Sequence, residues 1–221
     1  MIENRTLYSY WRSSTSYKVR IALNLKELDY SIVPINLVKG EHKEEDYLSL
    51  NPSGAVPTLI DGDNHFAQSN TILEYLEEVY PDPECMPSDP AARAYARQII
   101  NIISCDIHPV NNLRVLRYLS NNLDVSDDDK TAWYHHWIHE GFKSLEALIQ
   151  NSSFYEGEFC TGDEVGFAEA TLIPQMYNAR RFDVDLNDYP ALCDIEQRCL
   201  DLPAFQNAVP EAQIDSVKSA Q

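Results

Sequence analysis

The first eighty residues change hydrophobic period several times. Residues 6–10 (TLYSY) alternate and are rich in β-formers, which predicts a strand. Ser13, Ser14, Thr15 and Ser16 are helix-capping types. After them Val19, Ala22, Leu23 and the 25–26 position follow a helical period, so a helix is predicted from about Thr15. Residues 30–35 (YSIVPI) predict a second strand, and Pro34, with no N–H to give a ladder, places it at an edge or an end. A short helix is predicted over 43–50, closed by Asn51-Pro52-Ser53-Gly54. Residues 57–60 and 65–67 predict strands joined by Asp61-Gly62-Asp63, a hairpin signal. Ser69 can cap a helix with Ile72, Leu73, Leu76 and Val79 on one face. The order β-α-β-α-β-β-α describes an α/β unit.

The segment PDPECMPSD follows, with prolines at 81, 83 and 87 and then Pro90. Proline this dense propagates neither helix nor sheet, so 81–89 reads as an interdomain linker. Beyond it the periodicity is helical throughout. One long helix is predicted over 91–122 (Ile99, Ile103, Val110, Leu113, Leu116), and a second over 126–150 (Trp133, Trp137, Phe142, Leu145, Leu148). A third spans 166–182 (Ala170, Ile173, Met176) and a fourth 190–200. Asp127, Asp128 and Asp129 after Ser126 suit an N-terminal helix turn. The expected organisation is an α/β domain over 1–80, the linker over 81–89 and an all-α domain over 90–221.

Composition narrows the classes. A content of 44% hydrophobic and 10% aromatic residues in 221 excludes a disordered acidic chain. With 17 Lys+Arg against 35 Asp+Glu the net charge is −18. That argues against a partner in nucleic acid, whose phosphates need basic neutralisation, and against a polybasic membrane-surface protein. No apolar run approaches the ~18–20 residues of a spanning helix, and residues 1–10 show no secretory leader pattern, so a cytoplasmic protein is expected. Five cysteines (Cys85, Cys105, Cys160, Cys193, Cys199) form no C-x-x-C, the pattern of buried reduced thiols. His135 and His139 sit one turn apart without an acid at metalloprotease spacing, so they read as a helix face and no metal is expected.

Three short segments carry candidate chemistry. Ser13 to Ser16 lie at a strand-to-helix junction, where unpaired N–H groups and the helix dipole favour an anion; ordinary capping is the plainer alternative. Ala55-Val56-Pro57-Thr58 puts a proline at a strand start, where a cis peptide would offer the Val56 backbone to an extended ligand. Local sequence alone favours trans. Gln68-Ser69 precedes a second helix start that could hold a carboxylate or simply be capped.

Together these segments resemble the zeta class of glutathione transferases. The resemblance runs from R-S-S-T-S-Y-K-V-R-I-A-L-N-L-K, beginning at Arg12, through N-P-S-G-A-V-P-T-L, D-G-D and Q-S-N-T-I-L-E-Y-L. It continues with I-H-P-V-N-N-L, G-D-E-V, N-A-R-R-F-D-V-D-L and Y-P, covering essentially the whole chain. The resemblance implies a thioredoxin-like N-terminal domain, a helical C-terminal domain, a homodimer and glutathione as cofactor. It implies a catalytic group at Ser13, Ser14 and Thr15. Glutathione contacts would come from these and from Ser16, Tyr17, Lys18, His42, Val56, Pro57, Gln68, Ser69, His108, Asn112 and Arg114. Arg181, with Arg12 as a further candidate, would bind the substrate. Arg20, inside the helix, reads as structural. Two positions depart from the family pattern: Thr15 stands where many members have cysteine, and Gly166 with Glu169 replaces the usual Ser/Thr-x-x-Asp capping box.

The implied reaction is cis–trans isomerisation of maleylacetoacetate to fumarylacetoacetate, in phenylalanine and tyrosine breakdown, by reversible addition of the cofactor thiolate. A general glutathione transferase or peroxidase and a maleylpyruvate isomerase share this chemistry. A non-enzymatic interaction module is the alternative of another class. The implied ligands are anionic like the chain, and the Debye length is about 8 Å at physiological salt. Capture must therefore be local, and Lys18, Arg114, Arg181 and the helix start at Thr15 are the expected positive groups.

Overall fold

In a computed structural model of the protein, residues 5–216 are described. The two ends of the expected domains, 1–4 and 217–221, lie outside the described residues. The chain forms two units, Met1–Cys85 with Leu200–Gln221, and Met86–Cys199.

The first unit is built on a four-stranded sheet of order β2-β1-β3-β4. β1 is Arg5–Ser9, β2 Ser31–Pro34, β3 Thr58–Asp61 and β4 Asn64–Ala67. β2 runs parallel to β1, whereas β3 is antiparallel to both β1 and β4. Pro34 therefore lies on an edge strand, as its missing N–H requires. The helices are α1 (Ser14–Leu25), α2 (Glu45–Leu50), preceded by a 3₁₀ turn at Glu41–Lys43, and α3 (Ser69–Val79). This is the thioredoxin-like arrangement. Leu7, Val19, Ile21, Leu23, Leu59, Ile72 and Leu76 are fully buried in its core. Because β1 and β4 are parallel, α1 and α3 both start at the same end of the sheet, where their strands end.

Residues 200–216 differ from expectation: they belong to the first unit rather than to a helical domain over 90–221. The reason is polar. Arg20, fully buried in α1, donates from Nε to the Ala208 carbonyl (3.0 Å), from Nη1 to Ser9 Oγ (3.2 Å) and from Nη2 to the Trp11 carbonyl (3.0 Å). Asn24 donates to the Ala204 carbonyl at 2.8 Å, within α9 (Pro203–Gln206). Phe205 and Ala208 add fully buried apolar surface. Burial lowers the Arg20 pKa to about 10, which still leaves it charged at neutral pH.

The second unit holds α4 (Pro90–Asn101), α5 (Leu113–Leu123), α6 (Asp127–Gln150), α7 (Phe167–Arg181) and most of α8 (Pro190–Leu200). The single helix expected over 91–122 is broken. A π-helical turn, Ile102–Ile107, follows α4, and α5 restarts from Asn112 as its cap. Pro109 falls at the break and has no N–H to give a helical hydrogen bond, while His108 before it keeps helical dihedrals (φ −59°, ψ −43°). The Asp127–Asp129 turn opens α6, with Ser126 accepting from the Asp129 N–H at 3.1 Å. At α7 the Gly166 cap is closed by Glu169, whose carboxylate accepts from the Gly166 and Cys160 N–H groups, each at 2.7 Å. Among the described residues no helix is long and apolar enough to cross a membrane.

Gly141 lets α6 approach the π-helical turn. A Cβ there would lie 2.2 Å from Ile107 Cγ1 and Cδ1. Gly141→Ala is therefore expected to lower stability by about 1–2 kcal/mol, overpacking outweighing the helix-propensity gain of alanine. Calorimetry checks this, and Ile107→Ala in the same chain should recover part of the loss.

Candidate active site

Strand register brings the three sequence segments to one end of the first unit's sheet. Thr58 pairs with Tyr8 on one side and with Ala67 on the other. Val56 and Pro57, just before Thr58, are therefore level with the Ser9–Tyr10 end of β1 and with Gln68–Ser69 after β4. The Val56-Pro57 peptide is cis, as the resemblance implies and the local sequence does not.

The loop carrying Val56 is pinned from behind. Tyr47 Oη donates to the Ala55 carbonyl at 2.6 Å, and Asn51 Nδ2 donates to the same carbonyl at 2.7 Å. Tyr47 and Asn51 also reach Thr58 Oγ1, at 2.9 and 3.1 Å. The Val56 side chain packs with Tyr10, Ile35 and Tyr47. Gly54, at φ +56°, has the His42 carbonyl beside it, 3.1 Å from where a Cβ would stand, so the half-buried His42 borders this loop.

At the start of α1, Ser13 is the N-cap and its Oγ accepts from the Ser16 N–H at 3.3 Å. Ser13 Oγ and Thr15 Oγ1 are 2.9 Å apart, and Thr15 donates to the Val56 carbonyl at 3.0 Å. Ser13, Ser14 and Thr15 are all half-buried. The next three side chains turn into the fold: Ser16, Tyr17 and Lys18 are 0%, 1% and 4% exposed. Lys18 donates to Asn70 Oδ1 at 2.8 Å, tying the first turn of α1 to that of α3. Lys18 is thus committed within the protein rather than presented as a surface cation.

At α3 the cap position belongs to Gln68 and not to Ser69, which is the first helical residue and is buried. The Gln68 side chain makes no capping bond, so it leaves the first amides of α3 without a side-chain acceptor from their own cap. Gln68 is exposed and sits at φ +72°, ψ 115°, a conformation costing about 1–3 kcal/mol for a residue with a Cβ. Such strain is typical of positions where a side chain must point at a ligand.

In the second unit, the π-helical turn delivers His108 to Asn112, with His108 Nε2 and Asn112 Nδ2 at 3.3 Å. Asn112 Oδ1 accepts from the Arg114 N–H at 3.1 Å, which turns its amide nitrogen toward the ring. With the amide nitrogen facing it, His108 Nε2 is placed to accept. Arg180 is engaged with Glu196 through Nε, at 3.0 and 2.9 Å, and through Nη2. Arg181 is exposed, with its guanidinium 4.7 Å from the Phe182 ring centre. Arg12 is exposed beside Trp11, and Arg114 is exposed at the start of α5. His135 and His139 are taken up by the Phe182 carbonyl and Tyr189 Oη, each at 2.7 Å.

Residues 3–78 match the family model described as glutathione S-transferase, N-terminal domain. A maleylacetoacetate isomerase of Dictyostelium discoideum is 44% identical over 220 residues, 98% of each chain. The holo structure of a bacterial maleylpyruvate isomerase, described as a zeta-class glutathione S-transferase, superposes with a TM-score of 0.93 at 41% identity, covering 96% of this chain and all of that one. A maleylacetoacetate isomerase from Methylobacterium extorquens, with bound malonate and glutathione, has a TM-score of 0.92 at 36% identity over 96% of this chain and all of that one. The chain belongs to the zeta class of glutathione S-transferases.

For a zeta-class transferase, the bonds around Thr15 and the Tyr47–Asn51–Thr58 network behind Val56 are features that periodicity does not reveal. Tyr47 falls inside the short helix predicted over 43–50, and Asn51 at its stop. Only the register of β3 against β1 shows that they support the loop at the sheet end.

Proposed function

We infer that the protein is a glutathione-dependent isomerase that converts maleylacetoacetate to fumarylacetoacetate, a step of phenylalanine and tyrosine breakdown. The observation that carries this is the set of groups at one sheet end: the Ser13 hydroxyl, the Val56 carbonyl, and the α3 start with Gln68 at its cap. A hydroxyl, a strand-end carbonyl and a helix N-terminus fit a peptide with a thiol, an amide N–H and a carboxylate. Bound glutathione supplies the nucleophile, a thiolate that adds reversibly to the double bond and lets it turn as a single bond.

The chain's own residues do the rest. Ser13, with the dipole of α1 behind it, stabilises the thiolate by donating its proton in a hydrogen bond. Ser14, Thr15, Val56, Pro57, Gln68 and Ser69 form the cofactor cradle, with His42 beside it. Ser16, Tyr17 and Lys18 hold the cradle from inside. His108, Asn112 and Arg114 are the remaining proposed cofactor contacts. Burial pushes the Cys160, Cys193 and Cys199 thiols up, which makes these three poor nucleophiles at neutral pH.

Arg181 anchors a substrate carboxylate, which its planar guanidinium can hold through two parallel hydrogen bonds. Arg12 is a second anchor. Arg181→Ala is expected to raise KM for the dicarboxylate about ten- to hundredfold, the worth of a charged hydrogen-bonded pair. An unchanged KM in steady-state kinetics would remove the assignment.

A homodimer in the cytoplasm, with neither nucleic acid nor membrane as partner, accompanies this reading. Isomerisation of maleylacetone with and without glutathione tests it, and glutathione-independent turnover or none would overturn it. Maleylpyruvate is the second substrate to assay, on the strength of the maleylpyruvate isomerase likeness. Dominant turnover of chlorodinitrobenzene or a hydroperoxide would instead indicate a general transferase or peroxidase.

A further inference from the structure

Proton counting fixes the direction of the hydrogen bonds at the start of α1. The Val56 carbonyl only accepts, so the single hydroxyl proton of Thr15 goes to it across 3.0 Å. The 2.9 Å contact between the two hydroxyls therefore runs from Ser13 to Thr15. Ser13 Oγ meanwhile accepts from the Ser16 N–H. In this arrangement the only proton Ser13 has to give is directed at Thr15. The relay Ser13→Thr15→Val56 points away from any anion that Ser13 would serve.

A thiolate donor needs the opposite direction. The relay ends on the Val56 carbonyl, at the sheet end where an extended ligand would place an amide N–H. We propose that Thr15 is a positioning residue that makes Ser13 available as a donor only when the Val56 carbonyl is taken by a ligand amide. Thr15 then yields Val56, turns its hydroxyl to Ser13 Oγ, and Ser13 turns its own proton outward. Two O–H groups rotate and no covalent bond breaks; the thiol proton leaves to water. A hydroxyl that accepts a bond while donating one is also the stronger donor, because such chains polarise one another. The site would thereby favour a peptide thiol over a small free thiol. This rests on the assignment of Ser13 as thiolate donor made above.

The test is a pH titration of the absorbance of bound glutathione thiolate, alongside its dissociation constant, in the wild type, Thr15→Val, Thr15→Ser and Ser13→Ala. Thr15→Val keeps shape and removes the hydroxyl. It is expected to leave about 3–10-fold less thiolate at a pH below the titration midpoint, the worth of one net hydrogen bond. Below the titration midpoint, where glutathione binds as the thiol, the variant's affinity for it should be unchanged or higher, since the competitor for Val56 is gone. Thr15→Ser should restore the wild-type titration, and Thr15→Ala should repeat the Thr15→Val shift if the valine variant folds poorly. If Ser13→Ala moves the titration but Thr15→Val and Thr15→Ala do not, or they weaken affinity without moving it, the relay is overturned and the Ser13 assignment stands. If Ser13→Ala itself leaves the titration in place, the Ser13 assignment fails and the relay with it.

Discussion

Ser13→Ala is expected to slow isomerisation by about one to two orders of magnitude and to raise the pKa seen in kcat/KM. A free thiol titrates at about 8.5, and the site must bring it near neutrality. A helix N-terminus contributes roughly 0.3–2 kcal/mol, at most about 1.5 pKa units, which alone is marginal. A hydrogen bond to the charged sulfur adds about 1.5–3 kcal/mol. Alanine removes the second contribution and keeps the first, so thiolate persists at higher pH and activity falls without vanishing. The same substitution deletes the cap bond to the Ser16 N–H, costing about 0.5–2 kcal/mol of stability. Ser13→Gly separates the two effects, because glycine at an N-cap costs only about a few tenths of a kcal/mol. Glycine should match alanine in rate and the wild type in melting temperature. A rate and a thiolate absorbance that both survive alanine would refute the donor role.

Much of this site is legible because it is local. Strand, cap and helix follow one another within residues 5–25, and the hydroxyl-rich junction between them shows in the residue types alone. The same holds for Ser126 before its three aspartates and for the hairpin at Asp61-Gly62-Asp63. What periodicity hides is any partner distant in sequence. Arg20 reads as structural from its place in a helix, but nothing near it names the Ala208 carbonyl as its acceptor. The tail beyond residue 200 therefore looks like a continuation of the helical part. At 91–122 the apolar period runs on through Pro109, and period alone does not show the helix breaking there, where the proline has no N–H to give. The cap of α3 lies one residue before the serine that the sequence offers for it. Serine is the better cap by preference, yet Gln68 occupies that position at a positive φ that no preference table favours.

Glu77→Ala is expected to destabilise the first unit by about 3–5 kcal/mol, more than any substitution of an exposed charge. Lys26 closes α1, and its Nζ lies 2.6 Å from Glu77 Oε2 of α3, with 0% and 4% of the two side chains exposed. Nζ also donates to the Pro83 carbonyl at 2.6 Å, and Glu77 Oε2 accepts from the Cys85 N–H at 3.2 Å. One buried ion pair thus joins α1, α3 and the proline-rich segment, fixing its first half to this unit; the second unit begins at Met86. Removing the carboxylate strands a buried ammonium, which is where the cost arises. Lys26→Met should cost a similar amount, because each charge left behind keeps one backbone partner, Glu77 the Cys85 N–H and Lys26 the Pro83 carbonyl. The pair itself need not be a net gain. Desolvating two charges nearly cancels their attraction, so Lys26→Met with Glu77→Leu should come within about 1–2 kcal/mol of the wild type, or exceed it. Denaturant melts of the three variants check the order. A double variant as damaged as Glu77→Ala would mean that the anchoring of residues 81–85, and not charge burial, sets the cost. That outcome would be visible as protease cleavage between Pro81 and Met86, which the double variant should resist if apolar packing alone can hold the segment in place.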